Sequence, residues 1–206
     1  MNETMKFMTQ LLIRIPGIII AVTMHEYVKA LASTRLGDTL PKKEGRLSLN
    51  PLKQMDPLGA ICLLVWGYGW GNPVNTSPMY YRNRRRDTVI AHATPSLCNV
   101  IIGVAFGLAF NCFSRAIPIG ISLDAYSIIQ QILASIAIYN VSYGLFQFVP
   151  VYPLNGAKIF SVLAPADVAI KVQQYEKLLQ MILVICIILG AADYLFNPLT
   201  KLILGI

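Results

Sequence analysis

From Leu11 to Leu36 the chain is apolar for long enough to cross a bilayer as one helix, yet this stretch carries Arg14 and the run His25-Glu26-Tyr27-Val28-Lys29. That combination constrains the fold more than any other feature. Ionisable groups on a membrane helix are costly unless they face protein or a wet cavity. The segment is therefore one wall of a larger helical assembly, and its polar members are the first candidates for function. Thr88 to Phe113, Tyr126 to Phe148 and Leu178 to Leu195 supply further walls. With 55% hydrophobic and 13% charged residues among 206, the composition is that of a polytopic all-α membrane protein rather than a soluble domain. Positions 1–206 read as a single membrane-embedded domain, because no linker, repeat or low-complexity stretch marks a second. No cleavable signal peptide is expected, since the first apolar segment lacks a small-residue cleavage site and carries its own polar motif.

The net charge is +7, and basic residues cluster in two loops. One, Thr39 to Pro57, carries Lys42, Lys43, Arg46 and Lys53; the other carries Arg82, Arg84, Arg85 and Arg86. Basic loops of this kind lie against an anionic cytoplasmic leaflet, and nucleic acid is not an expected partner. Between them, Leu58 to Trp70 is apolar but short, and Gly67, Gly69 and Gly71 interrupt its end. A full crossing would put the two basic loops on opposite sides, so the stretch is expected to be a re-entrant or β-like hairpin after the first long helix. Pro118 and Gly120 mark an outer connection. Val149-Pro150-Val151-Tyr152-Pro153-Leu154-Asn155-Gly156 breaks the third span, a helix resumes from Ala157 to Leu163, and Asn197-Pro198 stops the last span. Trp66 and Trp70 read as interface or hairpin anchors. Cys62, Cys98, Cys112 and Cys186 have no paired spacing and read as packing residues.

The motif at 25–29 is one residue short of H-E-x-x-H. On a helix, positions 25 and 29 fall one turn apart on one face. In a zinc protease two histidines at that spacing hold the metal, and the glutamate between them is general base for a metal-bound water. Here the second position is Lys29, which when protonated has no lone pair to donate. Lys29 can pair with Glu26, be neutralised by desolvation, or snorkel to the interface. His92 is the only other histidine, and a rebuilt site could draw on it together with His25 and either Glu26 or Cys98.

An ordered set of landmarks resembles the site-2 protease family of intramembrane zinc metalloproteases, in its short prokaryotic form. These are His25-Glu26-Tyr27, Leu36-Gly37-Asp38, Gly45-Arg46-Leu47-Ser48-Leu49-Asn50-Pro51, Gly69-Trp70-Gly71-Asn72-Pro73-Val74, Pro95-Ser96-Leu97-Cys98-Asn99 and Pro153-Leu154-Asn155-Gly156. The resemblance implies a site-2-protease-type helical core. It implies Glu26 as the catalytic base, His25 as a retained zinc ligand and Asn99 as a substrate-positioning residue. Lys29 and Asn155 occupy the positions of the other two ligands, where the family has histidine and aspartate. Thr94 stands where the family's A-G-P motif has glycine. The zinc site is therefore degenerate.

Two functions follow as expectations. The first is a pseudoprotease in the inner or plasma membrane, multi-pass, with its site near the cytoplasmic side. It would hold no cofactor and bind transmembrane segments of partner proteins without cutting them. The alternative is an active intramembrane endopeptidase with a rebuilt zinc site. A transporter is disfavoured by the lack of inverted repeats. Under the first reading, Lys29 should lie within salt-bridge reach of Glu26, and Asn155 should face His25.

Overall fold

The computed structural model describes residues 3–115, 120 and 122–205. The expected turn at Pro118 lies outside them. Among the described residues there are ten α-helices, one short 3-10 turn and no strand. The chain is an all-α membrane protein. Three helices are long and apolar enough to cross: α1 (Glu3–Arg35), α5 (Arg84–Ser114) and α6 (Leu123–Phe146). They pack against one another pairwise. Where α5 and α6 meet, small residues let the backbones close: a Cβ on Gly103 would lie 2.5 Å from Val141, and one on Gly144 would lie 2.7 Å from the Ser96 carbonyl.

Helix α1 runs through Pro16 and ends at Gly37, whose φ of +108° favours a residue without a side chain. Asp38 ties off this turn. Its carboxylate accepts from Leu40 N, Ser77 N and Ser33 Oγ. Because Ser33 spends its proton there, the Tyr81 hydroxyl donates to Ser33 Oγ at 2.7 Å, and burial pushes that phenol above its ordinary range. The following basic segment is not a plain loop. It contains the single helical turns α2 (Leu40–Lys43) and α3 (Pro51–Gln54).

The expected hairpin has one helical arm. α4 (Pro57–Trp66) starts with Pro57 at N1 and Asp56 as N-cap, accepting from Gly59 N at 2.7 Å. It is apolar around its circumference, and Gly67 ends it in the left-handed region. Residues 68–77 then return in extended form, with one antiparallel bridge between Met55 and Gly71. The two arms touch so closely that a Cβ on Gly59 would lie 2.1 Å from the Trp70 carbonyl. Arg14 explains its own presence on α1 here: Nη1 donates to the Leu64 carbonyl at 3.0 Å, capping the end of α4.

After α6 the chain turns through Gln147 to Leu154 into α7 (Asn155–Leu163), α8 (Ala166–Gln174), α9 (Glu176–Ile188) and α10 (Ala191–Leu204). The single straight last span expected over Leu178 to Leu195 is corrected. Gly190, at φ +76°, turns the chain, α9 and α10 meet at a 70° bend, and Pro198 lies inside α10 instead of stopping it. Taken as one broken span, the pair would be a fourth crossing. Phe146, Leu154, Leu183, Ile187 and Phe196 form a buried cluster that fixes the bent pair to the end of α6.

Candidate functional site

Polar side chains from α1, α5, α6 and α7 meet in the middle of the bundle. His25, Asn99, Asn140 and Asn155 are each at most 1% exposed. Buried polar atoms must be paired, and the pairing here determines where each proton sits. The Asn155 amide nitrogen lies 3.1 Å from the His92 carbonyl, an acceptor, so the amide group points its N–H bonds this way. The same nitrogen lies 2.7 Å from His25 Nε2. Asn155 therefore donates to both, and Nε2 is the acceptor. The ring proton is on Nδ1, which donates to Asn99 Oδ1 at 3.3 Å. Asn99 Nδ2 donates in turn to the Ala21 carbonyl at 2.9 Å and to Asn140 Oδ1 at 3.4 Å. Asn140 Nδ2 ends the relay on the Ile136 carbonyl.

Local sequence explains how these groups are delivered. Pro95 has no N–H to return to Ala91, which loosens α5 one residue from the carbonyl that Asn155 reaches. Asn155 is the first residue of α7 and is locked in place by its neighbours. Its own N–H donates to Gln147 Oε1, and Gly156 N donates to the Gln147 carbonyl at 2.8 Å. A Cβ on Gly156 would lie 2.2 Å from the Phe148 carbonyl, so the turn that carries Asn155 requires glycine there. At the far end of α7, Arg85 Nε donates to the Val162 carbonyl at 2.7 Å, pinning α7 to α5.

Glu26 is buried beside this relay and serves a different element. Its Oε2 accepts from Val74 N at 3.0 Å. Gly71 N donates to the Tyr143 hydroxyl at 3.0 Å, and the Tyr143 ring meets His25 edge-on at 5.1 Å. The extended arm of the hairpin is thus held over α1 by a carboxylate and a phenol. Arg46 supports it from the other side, donating to the carbonyls of Lys53 and Asn72.

Lys29 is also buried, at 4% exposure. The salt bridge expected between Lys29 and Glu26 is corrected: among the described residues, no ion pair joins them. They are coupled electrostatically at longer range, and Lys29 is coupled likewise to His25 and His92. The partner that Glu26 Oε2 does reach is the Val74 amide of the hairpin.

His92 enters the relay through its main chain. Its backbone, not its ring, joins the relay, and ring Nδ1 donates to the Thr88 carbonyl at 2.9 Å. Among the described residues no group of three or more His, Cys, Asp or Glu is placed to hold a metal. The donor chemistry points the same way. Zinc in a closed site takes about four lone pairs at roughly 2.0–2.3 Å. His25 offers one, already used by an amide N–H; Lys29 offers an ammonium; Asn155 presents N–H bonds. These residues do not fit a zinc ion.

Asn140, Tyr143, Gln147 and Val74 are members of the site that sequence reasoning did not single out. Asn140 had a signal, as an amide in the middle of an apolar helix. Val74 had none, because it contributes through its backbone.

The chain is 29% identical over 184 residues to a Bacillus subtilis (strain 168) protein named "Putative zinc metalloprotease YwhC", covering 88% of this chain and 83% of that one. No family model matches the chain. No solved structure matches it.

Proposed function

We propose that this chain is a non-proteolytic homologue of the site-2 type of zinc metalloprotease, a pseudoprotease that binds transmembrane helices of partner membrane proteins without cutting them. The similarity to a named zinc metalloprotease over most of the chain supports the ancestry. One observation carries the loss of chemistry: the Asn155 amide nitrogen lies 2.7 Å from His25 Nε2 and donates to the lone pair that a metal would need. In this reading Asn155 and Lys29 replace two ligands by a hydrogen bond and a resident positive charge. Glu26 is retained as the acceptor that docks the hairpin arm, and Asn99 as the brace between α1 and α6. An apolar cavity of about 290 Å³ between the end of α6 and the bent α9–α10 pair offers a helix-binding partner a place to seat side chains.

In this reading the basic loops lie on the cytoplasmic side of the inner or plasma membrane, with the site near that face. The discriminating variant is Glu26→Gln, whose amide oxygen still accepts from Val74. Complementation of a deletion strain by this variant at wild-type level is the expected outcome. Loss of complementation with normal protein levels would favour the active-endopeptidase alternative.

A further inference from the structure

A second polar region lies on α1 about 16 Å from His25, at about 1.5 Å per residue over the turns from Arg14. There a cavity of about 570 Å³ opens between α1, the tip of α4, α6 and α10. That is within the usual range for small-ligand sites, about 300–1,000 Å³. Its wall carries one cation, Arg14, and one anion, Asp193, with Tyr68, Gln131, Ser135 and Trp66 between them. Tyr68 and Ser135 are at least nine-tenths buried. The Tyr68 hydroxyl lies beside the Asp193 carboxylate on this wall, while Ser135 Oγ is packed against Gly17 of α1.

The charges select the ligand class. An anion alone would meet Asp193 and a cation alone would meet Arg14; a ligand carrying both signs satisfies both. The surroundings select its body. α1 at 33 residues is about 50 Å long against a hydrocarbon core of about 30 Å, so Arg14, eleven residues from its start, lies toward one end of the crossing. Trp66 on this wall is only part-buried, as an interface aromatic is. The cavity rim includes Val65 and Ile138, both exposed apolar side chains, and exposed Leu12 and Leu195 lie nearby in the chain. A molecule with a dipolar head and an apolar tail fits this arrangement. Its cationic end should carry N–H bonds, because Asp193 and Tyr68 can accept them, and a quaternary ammonium has none to give.

We propose that this cavity is a headgroup site for a phospholipid of the ethanolamine class, with the phosphate toward Arg14 and the primary ammonium toward Asp193 and Tyr68. The site is independent of the His25 relay. Arg14 also holds the end of α4, so its replacement could unfold the hairpin, and Asp193→Asn and Tyr68→Phe are the informative variants.

The test is lipid retention by native mass spectrometry. Full-length protein is extracted from nanodiscs made with equal amounts of phosphatidylethanolamine, phosphatidylcholine and phosphatidylglycerol. Wild type should keep the ethanolamine lipid over the choline lipid by roughly fivefold, about 1 kcal/mol of preference. Asp193→Asn should lose that preference while melting like wild type, and Tyr68→Phe should reduce it. Equal retention of the three lipids, or an unchanged preference in Asp193→Asn, would overturn the proposal. Soluble glycerophosphoethanolamine is the second arm. Failure to compete supports a lipid, and displacement at equal concentration would show a site for a free zwitterion and overturn the lipid assignment.

Discussion

Two polar regions share α1, eleven residues apart, and solve the problem of polarity inside a bundle in opposite ways. Around His25 every assigned proton has a destination: Asn155 to His25, His25 to Asn99, Asn99 to Asn140, and each amide also to a backbone carbonyl. Around Arg14 the walls stand apart, with a cation and an anion on opposite sides of an open cavity. The first region is closed by its own side chains and has no coordination vacancy. The second is open and has capacity for a ligand. Under the two proposals, a protease-like motif and a ligand site occupy different levels of one helix.

The comparison can be broken most severely at Asn99. Asn99→Ala removes three hydrogen-bonded contacts and leaves a cavity where α1, α5 and α6 meet, and should cost about 3–4 kcal/mol. Thermal unfolding in detergent would show it as the largest fall in melting temperature among the variants discussed. Next comes Gly156→Ala. The added methyl clashes with the Phe148 and Val149 carbonyls, so α7 must shift and carry Asn155 off His25. A loss of about 2–3 kcal/mol is expected. It should be accompanied by a changed ring-nitrogen NMR signature of His25, which would separate displacement of Asn155 from general destabilisation.

Glu26→Gln sharpens the comparison from the other side. Because the amide oxygen can still accept from Val74, stability should fall by no more than about 1 kcal/mol. Glu26→Leu, which cannot accept, should loosen the arm at 68–77 and raise its hydrogen exchange. Equal behaviour of the two variants would contradict the docking role given to the carboxylate. The smallest effect belongs to the open region: Asp193→Asn keeps a side-chain oxygen for Asn197, and should change stability by about 0.5 kcal/mol or less.

Much of the fold was legible in the sequence because hydropathy and length act locally. The second and third spans were located to within four residues at each end, and the first to within one at its C-terminal end, while α1 begins at Glu3, eight residues before the expected Leu11. The last span was misread because a Gly at 190 and a Pro at 198 offer competing break points. The choice between them is made by packing of Leu183, Ile187 and Phe196 against the end of α6, which no local pattern contains. At the site, the meeting of His25 with Asn155 followed from aligning two motifs 130 residues apart. The missing ion pair did not, because it turns on how two side chains extend within the bundle, and the backbone amide that Glu26 reaches has no sequence signature. The same holds for His92, whose ring was weighed as a ligand while its carbonyl is what the site uses.

The central claim is that a hydrogen bond and a lysine stand where a metal would be held. Elemental analysis of protein purified without a histidine tag tests it most directly, comparing wild type, His25→Ala and the double variant Lys29→His/Asn155→Asp after exposure to zinc. The expected result is only trace zinc in wild type and in His25→Ala, and about one zinc per chain in the double variant, whose restored histidine and carboxylate complete a ligand set. About one zinc per chain in wild type, lost in His25→Ala, would contradict the account.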